Sequence, residues 1–523
     1  MTESIPRPLL AMVPLDERPV NTRYPKNLAA IAGLDLQFPP DAILGRARTP
    51  ADTSALSAWL LKTAASAQAA FVCAEMLGYG NLINSRISND SAAAVLTRLS
   101  VLENLAKSVP VHGFSIVTRV ANANDCVEEP LYWKEWGTRC YRYSKLAHRA
   151  LAGEIQAGSD EADEFRKLEA QIPSEVRNDW LVRRLRNHTV NLALLELTAR
   201  GTISTLRLTS DDTSEYGLSA RERDWIATWP DLIGDGLSPR VRMHPGADEV
   251  GSALVAWWLN GTRKRAPRVW VDYAIDADAA LIAPYEDVPI SDTVLGQLVS
   301  CGCVPATTPH ETDIVLAVVT PSPRLTDYKL DFLNEDRWER SEAYHQQVKR
   351  LARLQKAGKK IAIADVAYPN GADPLYSEIL ASKESELQLG SLAAYGAWNT
   401  AGNTLGVVIA QASCVLAMGT DPTAQTAQRV FLAHRFLEDH GYQSIVRRAV
   451  REEVRVKWGR QDPDPDNPEE VAWICGLIET KLTARLAALQ AHGIGTGLSI
   501  RKNSVRLPWN RTFEVDFELI EAD

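Results

Sequence analysis

Short apolar runs separated by helical stretches recur along most of the chain, the pattern of an α/β protein with a parallel sheet. The first run, Leu9 to Leu15, ends in the polar cluster Asp16-Glu17-Arg18-Pro19. Ala70 to Ala74 follows and runs into Glu75, then Val111 to Thr118, which ends at Arg119 and an Asn-rich turn. A long helical region is expected from about Tyr143 to Ala199. Ser204 to Thr209 then ends in Ser210-Asp211-Asp212, and Arg240 to His244 leads into Pro245-Gly246-Ala247-Asp248-Glu249. The later half repeats the scheme: Arg268 to Ala274, Ala280 to Ala283, Asp313 to Thr320, Ile361 to Val366 and Leu392 to Tyr395 read as strands, with a helix between Asp292 and Ser300. Beyond Thr404 the chain reads as mostly helical. Asp462 to Pro468 is a Pro/Asp-rich connector, and Arg511 to Leu519 alternates like a closing edge strand.

Eight or nine strand–helix units favour a TIM-like (β/α) barrel core over residues 8–405, with an α/β insertion near 266–319 and a mostly helical C-terminal appendage over 406–523. Two Rossmann-like α/β domains are the alternative. In both architectures the active site lies at the carboxyl ends of the strands, where the polar clusters fall.

Composition narrows the classes of function. The chain has 523 residues, of which 57 are Lys or Arg and 66 Asp or Glu, a net charge of −9 that lacks the basic footprint of a nucleic-acid binder. No apolar window is long enough to span a bilayer, so no membrane partner is expected. The start of the chain does not read as a signal peptide, and seven scattered cysteines without a CxxC pair suggest neither a disulfide framework nor a zinc ribbon. A cytoplasmic protein is expected. There is no P-loop, no GxGxxG after a strand, no HExxH and no GxSxG, which leaves acid–base chemistry by carboxylates, with or without a divalent metal; no cofactor is expected.

Asp211 and Asp212 close a strand on which Arg207, Thr209 and Asp211 share one face, so the pair can divide proton donation from stabilisation; an N-capping role for Asp212 is the alternative, though two carboxylates are more than one cap requires. Asp248 and Glu249 are candidates for a second carboxylate, against an acidic first helical turn. Asp211, His244 and Asp248 form the alternative metal set. Asp16 and Arg18 after the first strand, and Glu75 at the end of the second, are candidate substrate contacts. So are Asp365, Tyr368 and Asn370, and the flat ring of Trp398 with the amides of Asn399 and Asn403, which suit a sugar. His188 either lines a site or lies on a polar helix face. Trp257 and Trp258 fit either a core helix or an interface of a homo-oligomer.

The chain resembles a bacterial family of proteins catalogued as domain of unknown function 4127. The resemblance is carried by Val13-Pro14-Leu15-Asp16-Glu17-Arg18-Pro19-Val20-Asn21, Asp211-Asp212-Thr213-Ser214-Glu215-Tyr216-Gly217, Pro245 to Gly251, Ala364 to Gly371 and Trp398 to Gly406. It brings no established activity. A weaker likeness is to O-GlcNAcase-like β-N-acetylglucosaminidases, whose Asp-Asp pair, Asn-Tyr-Pro-like segment and Asn-rich turn follow in the order seen here for Asp211-Asp212, Asp365 to Asn370 and Trp398-Asn399. That likeness implies that Asp211 orients an acetamido group and Asp212 is the general acid.

The leading expectation is an exo-acting glycoside hydrolase on a small carbohydrate. The alternatives are a metal-dependent hydrolase or isomerase, and a small-ligand-binding protein of two α/β lobes without turnover.

Overall fold

Residues 7–211, 213–321, 323 and 337–522 are described by a computed structural model. All but the last two strands lie in two open parallel sheets, and the described residues form no closed barrel. The chain divides into two compact units. One holds the chain up to Glu17 with Asp35–Gly251 and Tyr285–Asp287; the other holds Arg18–Leu34, Ser252–Pro284 and the chain from Val288 onward.

The sheet of the first unit contains β1 (Leu9–Val13), β2 (Asp35–Gln37), β3 (Ala69–Cys73), β4 (Val111–Val117), β5 (Thr205–Ser210) and β6 (Val241–Pro245), in the order β2-β1-β3-β4-β5-β6. All pairs are parallel, with Leu10 opposite Ala69, Ala70 opposite Val111, and Leu206 opposite Val241. β3 and β4 are buried along their whole length. That explains why they read as continuous apolar runs: a parallel sheet is covered on both faces. Arg207 and Thr209 are accordingly as buried as Leu206 and Leu208, rather than lining a barrel interior.

The second unit contains β7 (Arg268–Tyr273), β8 (Val304–Pro305), β9 (Ile314–Val319), β10 (Lys360–Asp365) and β11 (Ala394–Gly396), in the order β11-β10-β9-β7-β8. Read from the other edge, this is the doubly wound order 2-1-3-4-5, and the first sheet has the same order with β6 added. Residues expected as an insertion therefore supply three of the five strands here, with β9 paired on both sides. Ala280 to Ala283 is not a strand; a single 3-10 turn covers Asp276–Ala280.

Helix starts follow local chemistry. Asp373, Asp421 and Asn467 each cap a helix whose first residue is proline, at Pro374, Pro422 and Pro468. The expected long helix is three, Trp133–Leu151, Asp160–Gln171 and Ser174–Ala199, broken before Pro173 and packed around Trp133, Leu146, Leu168 and Trp180.

The C-terminal region is not an appendage. Phe436, Leu437, Ile474, Ile478, Leu482 and Phe517 share one hydrophobic core with Val315, Ile363 and Tyr395 of the second sheet. Tyr395 stacks on Phe436 at 3.8 Å between ring centres. The stretch Phe436–Val446 is π-helical. The expected strand Arg511 to Leu519 is irregular, and the closing β-ladder is a two-stranded antiparallel pair, β12 (Leu498–Ile500) with β13 (Leu519–Glu521). Helix Arg23–Ile31 packs in this unit against Pro422–Arg435. Trp258 is buried in helix Val250–Thr262.

Candidate active site

In the first unit the strand ends place five acids at one edge of one sheet. Asp16 follows β1, Glu75 follows β3, Asp211 follows β5, and Asp248 and Glu249 follow β6; all five are buried, Asp16 to 1% exposure and Glu249 to 0%. Asp212 lies outside the described residues. Glu17, beside Asp16, accepts a hydrogen bond from the Ala47 main chain at 2.9 Å.

Asp211 is held by Arg86, which the sequence reading does not single out. Arg86 sits on the short helix Leu82–Ile87, whose start Asn81 caps by accepting from Asn84 N at 2.9 Å. Its Nη2 donates to Asp211 Oδ2, and its Nη1 faces Glu128 Oε2 at 3.0 Å and Glu129 Oε1 at 3.4 Å. Arg119, following β4, meets the same two glutamates at 3.1 and 3.2 Å. Two guanidiniums thus share three carboxylates. Burial pushes the Glu129 carboxyl up, against the pull of Arg86 and Arg119.

After β6 the chain turns at Gly246, with φ of +116°. The Glu249 carboxylate folds back onto this glycine: a Cβ there would lie 2.2 Å from Glu249 Oε1. His244 Nδ1 is 2.9 Å from Pro245 O and 3.5 Å from Glu249 Oε1. Burial, aided by the Arg207 cation and opposed by the bond to Pro245, holds the imidazole down at about 4, so it is neutral at pH 7. Since Pro245 O can only accept, Nδ1 carries the proton and Nε2 the lone pair.

Glu75 is held by several short hydrogen bonds. Ser115 Oγ lies 2.7 Å from both Glu75 Oε1 and Asn191 Oδ1. Asn191 Nδ2 donates to Ile116 O at 3.1 Å, which orients its Oδ1 as an acceptor. Burial raises this carboxyl, although Ile116 N, the Cys73 thiol and Ser115 bond to it. A carboxyl raised in the folded state makes stability fall as pH rises from about 4, because the unfolded chain releases a proton that the folded one keeps; above the folded value the fall levels off. Glu75→Gln is expected to flatten that fall at a cost under about 1.5 kcal/mol, whereas Glu75→Ala costs about 2–4 kcal/mol. Urea unfolding across pH checks both.

In the second unit Asp365 closes β10 and accepts from Ala367 N at 3.2 Å and Asp373 N at 2.7 Å. Asp373 caps the next helix and accepts from Tyr344 OH at 2.8 Å. Burial first, and Asp373 second, hold Asp365 well above the usual carboxylate range. Both its oxygens are committed to shaping the Val366–Asp373 loop, in which Asn370 has φ of +61° and donates its main-chain N–H to Asn399 O at 3.1 Å. Tyr368 is buried and bridges Gly371. Trp398 is buried against Phe513, its ring centre 6.3 Å away. Asn399 takes φ of +64°, and Asn403 N is 3.4 Å from Thr400 Oγ1, the helix cap. Asp439, on the π-helix, accepts from Ala397 N at 2.8 Å. Arg18 belongs to this unit and lies over Trp509.

Among the described residues no three His, Cys, Asp or Glu side chains are grouped to hold a metal ion, so Asp211, His244 and Asp248 do not form the trio expected as the metal alternative. His188 lines a separate open cleft of about 460 Å³ with Arg221, Glu222, Asp224, Trp225 and Thr228, on helices flanking the first sheet. No helix among the described residues is long and apolar enough to cross a membrane.

Two doubly wound parallel sheets, one of them edged with buried acids, define an α/β protein of the open-sheet class, in which ligands bind outside the carboxyl ends of the strands. The chain belongs to the family described as protein of unknown function (DUF4127), whose family model matches residues 10–518. No curated protein and no solved structure matches it.

Proposed function

We propose that the protein is a glycoside hydrolase whose acid–base groups are carboxylates at the carboxyl edge of the first sheet. The observation that carries this reading is the gathering of Asp16, Glu75, Asp211, Asp248 and Glu249 there, all buried. Acids are seldom buried without a partner or a task. Their surroundings also differ: Asp211 shares its charge with Arg86, whereas Glu249 lies beside a neutral imidazole. Carboxylates in unlike surroundings are what divide proton donor from stabiliser in sugar hydrolysis. In this reading Asp212 protonates the leaving oxygen. Asp211, or else Asp248 or Glu249, serves as nucleophile or stabilises the oxocarbenium-like transition state. A protein that binds a small polar ligand without turnover is the second reading, favoured by the position of Asp16 and Glu75 at the β1–β3 switch point.

The test is release of chromophore from aryl glycosides, 2-acetamido sugars and furanosides included, with and without a chelator. Turnover indifferent to the chelator is expected, falling about 10²–10⁴-fold in folded Asp212→Asn or Asp211→Asn. Chelator-sensitive turnover would overturn the carboxylate mechanism. Thermal stabilisation by a sugar without turnover of any substrate would replace it with the binding reading.

A further inference from the structure

The closing loop builds a stack of guanidinium groups and rings inside the second unit. It runs Pro508-Trp509-Asn510-Arg511-Thr512-Phe513-Glu514, and Trp509 and Asn510 both take φ of +53°. A left-handed backbone at a bulky residue is strained and persists only where the surroundings impose it. Here they impose a ladder. The guanidinium carbons of Arg18 and Arg511 each lie 4.5 Å from the centre of the Trp509 ring. Those of Arg511 and Arg447 lie 4.8 and 5.0 Å from the centre of Phe513. Buried Glu514 faces Arg18 at 3.8 Å and Arg511 at 3.5 Å.

Arg447, at the end of the ladder, has no such acid. Its Nη1 donates to the neutral Gln443 Oε1 at 3.0 Å, its Nε is buried without a hydrogen-bond partner, and among the described residues no carboxylate lies within 4.0 Å of it. The charged groups around it are Arg451, Arg511 and Asp462. Asp462 is already engaged, accepting from Thr512 N at 2.7 Å and facing Arg451 Nη2 at 3.7 Å. Burial and the two neighbouring cations hold the Arg447 guanidinium down at about 10.

We infer that Arg447 and Arg511, both packed on the Phe513 ring, form a binding site for an oxyanion, a carboxylate or phosphate group of a ligand. A planar guanidinium fork matches either group in two parallel hydrogen bonds, and the bound anion supplies the charge that Gln443 does not. The Phe513 ring holds the two guanidiniums beside each other. The site lies within the second unit and does not depend on the hydrolase reading.

Thermal unfolding of the full chain at pH 7, in sodium phosphate or sodium acetate against chloride of equal ionic strength, tests it. A rise of about 2 °C or more that saturates at millimolar anion is expected, since general salting-out does not saturate. A response to phosphate alone identifies a phosphoryl group, to acetate alone a carboxylate, and to both their shared geometry. Arg447→Met is expected to lose the anion-dependent rise with no drop in Tm in chloride. Arg455→Met, on the same helix and paired with Glu452, keeps the rise. If Arg447→Met does not fold, Arg447→Lys, which keeps the charge but not the fork, should need at least tenfold more anion. No saturable rise with either anion, or a rise that Arg447→Met or Arg447→Lys retains in full, would overturn the site.

Discussion

Arg86→Met is expected to lower the unfolding free energy by about 3–5 kcal/mol, the cost of leaving a buried ionic group without its counter-charge. Arg86 is buried, donates to Asp211 and stands within 3.0 and 3.4 Å of Glu128 and Glu129. With methionine there, Arg119 alone faces Glu128 and Glu129, and Asp211 loses this ion pair. The volume is nearly conserved, so a cavity adds little and the loss is electrostatic. It is therefore expected to shrink as pH falls: once the guanidinium is gone, Glu129, already pushed up by burial, takes a proton at higher pH in the folded variant than in the unfolded chain. Urea unfolding near pH 7 and near pH 5 separates this from a packing defect, which would cost the same at both. A deficit under about 1 kcal/mol at pH 7 would place the cluster among surface-like ion pairs.

Gly246→Ala is expected to cost about 2–5 kcal/mol, from a strained backbone and an overpacked seat together. The backbone there has φ of +116°, and the added carbon would meet Glu249 Oε1 at 2.2 Å and Cδ at 2.6 Å. A carboxylate at the end of a side chain usually steps aside cheaply, but Glu249 is fully buried. The double variant with Glu249→Ala removes the clash and leaves the strain, so the two substitutions should be less than additive by about 1–3 kcal/mol. Full additivity would show that the carboxylate does not occupy this seat in solution. On the hydrolase reading, Gly246→Ala also abolishes turnover.

The central strands were legible because β3, β4, β9 and β10 are covered on both faces and spell continuous apolar runs. The choice of a barrel over two Rossmann-like domains went wrong because it turns on two edge strands with almost no signal. Asp35–Gln37 has one apolar residue and Val304–Pro305 is exposed. Each lies beside the first strand of its sheet and makes the order 2-1-3 rather than 1-2-3, so without them the strand–helix units count up to a barrel. Asp16, Glu75 and Asp211 could be found because they follow apolar runs, and Asp248 and Glu249 because two acids follow the Pro-Gly turn after β6. Arg86, Glu128 and Glu129 could not, since they come from a six-residue helix and a loop whose composition is that of any solvated turn. Asp365 shows the converse: the same signal marks an acid whose two oxygens are spent on main-chain N–H groups. Arg447 lies in a segment that reads only as helix and Trp509 just ahead of the expected strand Arg511 to Leu519; two consecutive left-handed residues at Trp509-Asn510 leave no trace in a sequence.

Helix Arg23–Ile31 has a consequence for synthesis. It is claimed by the second unit, where Tyr24 donates to Glu438 across 414 residues of sequence and lies under the Arg435 guanidinium at 3.9 Å. A ribosome adding roughly 5–20 residues per second makes those 414 residues in roughly 20–80 s. Through that interval the segment carrying Tyr24, Leu28 and Ile31, which are buried in the folded chain, has no docking surface yet translated, a long exposure of apolar side chains for a nascent chain.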